Sequence, residues 1–206
     1  MMSECNFADL PWRAPGFHQR VQALAAGFGR QFGLPPVHQL GVLVPDVDAA
    51  ATELERQGME RFFVAGGTPR FWREEGILHA MAGKLAMAYR DGVEIELLEP
   101  GRNTNWYRNS LAEGGCYAIQ HLGYLVDDVD AVARRLQAAG YPLKVRGLLA
   151  NLGMRCNFAY VDTRPVHGFI TELIDLRVFG LRLPPAMIYR PLAKLQKLLG
   201  ARHFNF

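Results

Sequence analysis

Residues 39–50 read QLGVLVPDVDAA and residues 121–132 read HLGYLVDDVDAV, so one segment of the chain is present in two closely similar copies. Eight of the twelve positions are identical at an offset of 82 residues, and the register continues as far as Gly58 and Gly140. An apolar run followed by an aspartate that can cap a helix predicts a strand leading into a helix. The same strand and helix are therefore present twice, which is typical of two supersecondary units that bury each other's apolar faces.

Each copy of the repeat predicts the element order β-α-β-β-β. In the first copy, Asp91-Gly92 between two apolar runs is a strong signal for a hairpin that joins the last two strands. The stretch from 65 to 76, between the second strand and this hairpin, is expected to be a loop. In the second copy, the later strands are expected near 142–145, 156–161 and 168–176.

The repeat also sets the expected domain boundaries. The first module spans residues 37–100 and the second spans 119–177, so that together they form one domain over 37–177. Residues 1–36 are expected to form an N-terminal leader with one amphipathic helix, and residues 178–206 a C-terminal helical tail. One face of the tail helix is expected to carry the apolar residues Ile188, Leu192, Leu195 and Leu199.

The bulk composition is that of an ordinary globular protein. Of the 206 residues, 50% are hydrophobic and 21% charged, which is enough for a proper core, and the net charge of +3 does not favour nucleic acid as a partner. Cys5, Cys116 and Cys156 are odd in number and widely spaced, which indicates free thiols in a reducing compartment. The sequence shows neither a signal peptide nor an apolar run long enough for a transmembrane helix, so a cytoplasmic location is expected.

Four polar side chains stand at matching places in the two copies. Gln39 and His121 begin the two equivalent first strands. The last strands, VEIELLEP and FITELIDL, each place one carboxylate, Glu96 or Glu172, among apolar residues. A carboxylate in such a strand is costly unless it is paired or binds a cation. Two glutamates in equivalent strands therefore indicate a function more strongly than either would alone.

Alternatives remain at two of these places. Glu94 has the same parity as Glu96, and only the match of ELL with ELI selects Glu96, whereas Glu99 has the opposite parity. His38 adjoins Gln39 but belongs to the opposite face of a regular strand, and a β-bulge could exchange the two. Taken singly, each of these side chains is more often structural than functional.

The segments QLGVLVPDVDAA, HLGYLVDDVDAV, VEIELLEP and GFITELIDL resemble the vicinal oxygen chelate superfamily, which includes glyoxalase I, methylmalonyl-CoA epimerase and extradiol dioxygenases. The resemblance covers residues 37–177. It implies an α+β fold in which two tandem β-α-β-β-β modules form a curved half-barrel around a metal site, here with helical extensions at both termini. It also implies that the first and last strands of the modules supply the metal ligands, which are Gln39, Glu96, His121 and Glu172.

The resemblance further implies a chemistry. Two carboxylates, one imidazole and one amide oxygen suit a single divalent ion such as Zn²⁺, Ni²⁺, Co²⁺, Mn²⁺ or Mg²⁺. The metal would polarise the carbonyl group of a small-molecule carbonyl or thioester substrate and stabilise the enediolate or enolate formed when a neighbouring proton leaves. By resemblance to glyoxalase I, Glu172 is expected to act as the general base, with Glu96 as its catalytic partner on the opposite side. The predicted activity is that of a lyase or isomerase.

Two other functions are compatible with the same fold. An extradiol-type dioxygenase needs two histidines and one carboxylate around iron, and only His38 could replace Gln39 to supply the second histidine. A non-catalytic protein that binds a small molecule is the other alternative. Dimerisation is common in the superfamily, so a homodimer is one alternative, and a single chain that carries both modules and completes its own site is the other. Five further residues are candidates for substrate binding, with packing or surface roles as the alternative: Arg155, Asn157, Tyr89, Trp72 and Tyr107.

Overall fold

The computed structural model describes residues 12, 15–111, 117–201 and 203–205, and in these ranges eleven strands form one mixed sheet. The strands are β1 (Gln39–Leu43), β2 (Phe63–Gly67), β3 (Phe71–Glu74), β4 (Ile77–His79), β5 (Gly83–Arg90), β6 (Val93–Leu98), β7 (Ala118–Leu125), β8 (Leu143–Asn151), β9 (Met154–Val161), β10 (Ile170–Val178) and β11 (Phe204–Asn205). The helices are α1 (Phe17–Leu24), α2 (Ala26–Gln31), α3 (Val47–Arg56), α4 (Val129–Ala138), α5 (Arg164–His167) and α6 (Pro185–Leu199).

The order of the strands shows the two modules side by side. The sheet runs β11-β2-β5-β6-β1-β7-β10-β9-β8-β3-β4, so β2, β5, β6 and β1 form one half and β7, β10, β9 and β8 the other. The two first strands, β1 and β7, meet antiparallel in the middle, and each pairs in parallel with the last strand of its own module, β6 or β10. The predicted α+β half-barrel is confirmed.

The repeated aspartates begin the two equivalent helices. Asp46 before α3 and Asp128 before α4 each accept a hydrogen bond from the backbone N–H three residues later. Such a cap satisfies one of the N–H groups that the first helical turn leaves unpaired. Gly58 and Gly140 follow the two helices with φ angles of 97° and 95°, a region that side-chain-bearing residues avoid. The same local signals therefore place both helices against the sheet, where Leu54 and Leu136 are fully buried.

One hairpin of the first module was not predicted. The stretch from 65 to 76, expected to be a loop, holds the end of β2, all of β3 and the turn before β4. Strand β3 leaves its own module and pairs with β8 of the second module. Trp72 on β3 explains this crossing, because its buried ring packs against Phe158 and Tyr107 on the concave side of the sheet. The first module is therefore β-α-β-β-β with an inserted hairpin.

The terminal extensions also differ from the expected single helices. The leader has two short helices, because the backbone breaks at Ala25 with φ −135° and ψ 25°. In the tail, α6 packs on β2 and β5, and β11 extends the sheet beyond β2. Leu195 and Leu199 are exposed on α6, since the buried stripe passes through Tyr189, Ala193 and Gln196 instead. None of the described helices is long and apolar enough to cross a bilayer.

Of the three cysteines that were expected to be free thiols, Cys156 lies among the described residues. Cys156 on β9 is a free, half-buried thiol. Cys5 and Cys116, for which free thiols were also expected, lie outside the described residues, as does most of the leader before Pro15.

Candidate metal centre

The four ligand-type residues lie on the four central strands, in two adjacent rows that cross β6, β1, β7 and β10. The first row contains Glu96, Gly41, His121 and Ile170. The second row contains Glu94, Gln39, Gly123 and Glu172. On the two middle strands, each row therefore combines one long polar side chain with one glycine.

The two glycines make room for the polar side chains opposite them. A Cβ atom on Gly41 would overlap the imidazole ring of His121. A Cβ atom on Gly123 would lie 2.6 Å from Oε1 of Gln39, which is closer than such atoms approach one another. Both side chains can therefore lie flat across the neighbouring strand and reach the middle of the sheet.

The side chains converge on one point. Nε2 of His121 lies 3.0 Å from Oε2 of Glu172, 3.3 Å from Oε2 of Glu96 and 3.3 Å from Oε1 of Gln39. All four side chains are buried. Glu96, His121 and Glu172 each offer a donor atom within 4.8 Å of the others, which suits a shared cation. The structure thus brings together all four residues selected by the sequence.

Two carboxylate oxygens at this point lack hydrogen bonds. Oε2 of Glu96 and Oε2 of Glu172 are buried and make no hydrogen bond to the described residues, although Nε2 of His121 lies 3.3 and 3.0 Å from them. Buried polar atoms are almost always hydrogen-bonded, and a site for a bound ion is one standard reason for an exception. On the other side of the imidazole ring, Nδ1 of His121 lies 3.1 Å from Oε1 of Gln120, which can accept its proton and leave the Nε2 lone pair free to bind a metal. The donor set fits a divalent ion.

Without a cation, the site would hold protons more tightly than free side chains do. Burial raises the pKa of Glu96 to about 7, and the nearby charge of Glu172 adds to this effect, while the His121 imidazole opposes it. Burial opposes the charge on His121, but its contacts with Glu172 and Glu96 outweigh that effect and raise its pKa to about 9. A metal ion binding here must therefore displace protons, which makes its affinity rise with pH.

Glu94, the competing glutamate in the sequence, holds Gln39 in place. Nε2 of Gln39 donates a hydrogen bond of 2.7 Å to Oε1 of Glu94, and the hydroxyl of Tyr89 donates to the other oxygen. Because the amide nitrogen is engaged in this way, the amide oxygen faces His121. Glu94 therefore orients a candidate ligand.

The alternatives to Gln39 and Glu96 lie away from the centre. Nε2 of His38 lies 3.6 Å from Oε2 of Glu94, and His38 is not in the group of described residues whose donor atoms cluster with His121. The irregularity in the pairing of β1 with β7 falls between Gly41 and Val42, so it does not exchange His38 with Gln39. Glu99 accepts a hydrogen bond from the backbone N–H of Val47 at the start of α3.

A cavity of about 870 Å³ adjoins the centre on the concave side of the sheet. Two of the substrate-binding candidates, Trp72 and Tyr107, line it together with Tyr160. The hydroxyls of Tyr107 and Tyr160 lie 3.0 Å apart, and burial raises the pKa of both well above its usual value. These phenols therefore stay neutral beside the carboxylates. Whether Trp72 and Tyr107 bind substrate stays a prediction.

The other three candidates are placed differently. Along β9 the side chains alternate, so Cys156 and Phe158 line the cavity whereas Arg155 and Asn157 belong to the opposite face. Tyr89 does not line the cavity either, since its hydroxyl binds Glu94 and its ring lies 5.0 Å below the Arg190 guanidinium. The geometry therefore gives Tyr89 a supporting position and removes Arg155 and Asn157 from the wall. The alternation of side chains along β9 is the sequence signal that could have separated Arg155 and Asn157 from the residues of the cavity wall.

The two modules meet at the central pair β1 and β7, and buried ligand-type side chains lie there beside a deep cavity. This arrangement defines a half-barrel protein with a candidate metal centre. A family model described as the Glyoxalase/Bleomycin resistance protein/Dioxygenase superfamily matches residues 38–160. The chain belongs to this superfamily, and the resemblance drawn from the sequence is confirmed. A search of curated protein sequences found no match.

Similar solved structures include methylmalonyl-CoA epimerases and a 4-hydroxymandelate synthase. Methylmalonyl-CoA epimerase from Mycobacterium tuberculosis is 19% identical, with a TM-score of 0.45, over 69% of this chain and 88% of its own. A variant of the Streptomyces coelicolor methylmalonyl-CoA epimerase in complex with 2-nitronate-propionyl-CoA is 22% identical, with a TM-score of 0.44, over 69% of this chain and 97% of its own. A 4-hydroxymandelate synthase variant from Streptomyces coelicolor is 14% identical, with a TM-score of 0.50, over 73% of this chain and 50% of its own. At these identities the likeness concerns the fold.

Proposed function

We propose that this protein is a metal-dependent lyase or isomerase that removes a proton from a carbon atom next to a carbonyl group. The observation that carries the proposal is the pair of buried oxygens, Oε2 of Glu96 and Oε2 of Glu172, which make no hydrogen bond to the described residues and converge within 3.3 Å of Nε2 of His121. Together with Gln39, these residues would hold one divalent ion. Such an ion, when bound, would polarise a carbonyl oxygen and offset negative charge as the proton leaves.

The two carboxylates have complementary positions for proton transfer. Glu172 comes from β10 and Glu96 from β6, so they reach the cavity from the two modules. In the proposed reaction, Oε2 of Glu172 takes the proton, and Glu96 returns a proton from the other side if the product is an isomer. The buried tyrosines beside them keep water from the reacting carbon.

The proposed substrate is a small-molecule carbonyl compound or a thioester. Thioesters are included because solved structures of the same fold carry coenzyme A compounds in their descriptions, although at low identity. A homodimer and a cytoplasmic location remain predictions from the sequence.

The two alternative functions fit the geometry less well. An extradiol-type iron site needs two imidazoles and one carboxylate, whereas the described residues bring together one imidazole and two carboxylates. A non-catalytic binding protein would explain the cavity, but it would not explain two buried carboxylate oxygens that make no hydrogen bond to the described residues. Metal content therefore discriminates between the proposed enzyme and a simple binding protein.

The test is metal analysis by plasma mass spectrometry on untagged protein, beside His121→Ala and Glu172→Ala. The matched controls are His79→Ala and Glu75→Ala, since both residues lie outside the group that could hold a metal. We expect about one divalent ion per chain in the parent protein and in both controls, and loss of the ion in the two site variants.

A second measurement tests the reaction. The loaded protein is incubated in D₂O with 2-oxoaldehyde thiol adducts and with acyl-CoA thioesters, and exchange of the proton next to the carbonyl is followed by NMR. Glu172→Gln is expected to lose about 10²–10⁴-fold in exchange rate, the usual contribution of a general base. Parent protein that takes up no metal after reconstitution would overturn the proposed enzyme and leave a binding cleft.

A further inference from the structure

The C-terminal tail closes the concave side of the sheet above the candidate metal centre. Helix α6 lies outside the repeated modules, yet Ile188, Tyr189 and Leu192 on it line the same cavity as Glu96 and Glu172. The helix is fixed to the sheet by Gln196, whose side chain bonds both the N–H and the C=O of Val64. Strand β11 then adds Phe204 to the wall. The tail thus turns an open half-barrel into a roofed chamber.

The roof and walls of this chamber are apolar. Helix α6 and the two strands β2 and β5 beneath it share one buried cluster, in which the rings of Phe63 and Tyr189 stack at 5.6 Å. Met87 and Ile174 continue this surface towards the carboxylates. A volume of about 870 Å³ lies within the usual range of small-molecule sites, which are mostly apolar with a few placed polar groups.

The charged groups of the chamber are mainly acidic. Its described lining includes the carboxylates of Glu94, Glu96 and Glu172 and no arginine. Among the described lining residues, one lysine is present. This residue is Lys84, and its ammonium group is paired with Asp48 at 2.6 Å. The remaining ionisable lining groups, apart from the Cys156 thiol and the tyrosine phenols, are the imidazoles of His38 and His203. A ligand with phosphate groups inside the chamber would therefore face carboxylates without a matching unpaired guanidinium or ammonium.

We infer that the substrate is a carbonyl compound with a long apolar chain or ring, whose carbonyl group lies at Glu96 and Glu172 and whose apolar part lies beneath α6. The inference rests on the proposed function for the position of the carbonyl group, while the apolar subsite depends only on the chamber. Burying an alkyl group against these walls gains free energy with every methylene removed from water. The tail of the chain is the part that selects this substrate class.

The experiment is displacement of the neutral fluorescent probe N-phenyl-1-naphthylamine by straight-chain 2-alkanones from 2-hexanone to 2-undecanone, with propionyl-CoA as the competing ligand. We expect affinity to rise about fourfold for each added methylene until the chamber is filled, and propionyl-CoA to displace the probe weakly. The same series is run after treatment with EDTA. A chain-length dependence that survives chelation supports the apolar subsite even if no metal is ever found, so the two proposals fail separately.

Matched variants on one helix locate the subsite. Ile188→Trp fills part of the chamber, so the affinity for 2-alkanones is expected to stop rising at a shorter chain length. Met187→Trp adds the same side chain at an exposed position and should leave the dependence of affinity on chain length unchanged. Cys156→Phe narrows the opposite wall on β9 and provides a second test that does not depend on α6. Equal affinities along the series, tighter binding of propionyl-CoA than of 2-undecanone, or the same series in Ile188→Trp and Met187→Trp would each overturn the inference.

Discussion

Gly41 on β1 lies opposite His121 on β7, and the imidazole of His121 occupies the space in which a side chain on Gly41 would begin. Gly123 stands in the same relation to Gln39, one row away in the sheet. Both copies of the repeat have a glycine at this position, because the first strand of each module must leave a gap for the long side chain of the other module. The glycines are therefore part of the candidate metal centre, although neither has a donor atom.

Gly41→Ala tests this relationship directly. The added methyl group would push the imidazole away from Glu96 and Glu172, and such displacement of a ligand is expected to cost at least 10–100-fold in metal affinity, as loss of a supporting contact does. Overpacking should also lower the free energy of unfolding by about 1–3 kcal/mol. Metal titration followed by calorimetry measures the first effect, and thermal unfolding the second.

A glycine elsewhere provides the control for this substitution. Gly27 lies in α2, has an ordinary φ angle, and a Cβ atom there would meet nothing within 4 Å. Gly27→Ala should therefore bind metal as the parent does and be slightly more stable, because alanine favours a helix over glycine. Parent-like metal binding by Gly41→Ala would show that the imidazole does not need this gap.

Tyr89→Phe tests the support beneath Gln39. The variant removes the hydroxyl that donates to Glu94 and leaves one buried carboxylate oxygen short of a hydrogen bond, at a cost of about 1–3 kcal/mol in unfolding free energy. Tyr124→Phe is the matched control, because the buried hydroxyl of Tyr124 has no hydrogen-bond partner among the described residues and its removal should cost little. Chemical denaturation of both variants measures the difference. Equal losses of stability would contradict the role given to the Tyr89 hydroxyl.

The centre could be predicted from the sequence because its signals are local and duplicated. The positions of Gln39 and His121 follow from the identical residues that surround them, and alternation along a strand fixes their face. The role of Glu94 was missed for a physical reason: its equivalent position in the second module, Ile170, is apolar, so the repeat gives no support for a functional glutamate there. Only the register in which β6 pairs with β1 shows that Glu94 lies beside Gln39.

The parts that were missed depend on contacts between distant segments. Strand β3 pairs with β8, about seventy residues later in the chain, and no local pattern in either strand names its partner. The apolar stripe predicted on α6 is only half right, because Ile188 and Leu192 line the cavity whereas Leu195 and Leu199 are exposed. Tertiary packing overrides such single-helix patterns.

The stability of the protein should depend on pH through His167. Its imidazole packs against the ring of Phe28 at 5.0 Å, and neither ring nitrogen has a hydrogen-bond partner among the described residues. Burial lowers the pKa of His167 in the folded state, so the unfolded chain binds more protons just below the unfolded value near 6.5. The neutral imidazole of His167 therefore makes its full contribution to the free energy of unfolding above about pH 6.5. This contribution is lost as the pH falls towards the lowered pKa of the folded state.

His167→Phe is the variant that isolates this effect. Phenylalanine fills the same space without a titrating group, so the variant should lose less stability than the parent between pH 7.5 and pH 5. Denaturant unfolding at a series of pH values measures the two slopes. Parallel slopes in parent and variant would show that another group causes the acid dependence.

Gln196→Leu tests how the tail is held. In the parent, the amide of Gln196 accepts a 2.9 Å hydrogen bond from the N–H of Val64 and donates one of 2.6 Å to its carbonyl, as an added strand would. Leucine has a similar volume but leaves both backbone groups buried and unpaired, each at a cost of about 1–3 kcal/mol. Because these bonds join α6 to β2, we expect faster hydrogen exchange along α6 and weaker binding of N-phenyl-1-naphthylamine.

The neighbouring Leu195→Ala serves as the control on the same helix. Leu195 is 42% exposed, so its truncation should change stability by less than about 0.5 kcal/mol and leave probe binding unchanged. If Gln196→Leu loses global stability while α6 keeps its protection, the tail is held by its apolar contacts alone. If α6 exchanges faster while the β5–β6 hairpin keeps its protection, the roof opens separately from the half-barrel, and substrate can enter beneath α6 without unfolding the modules.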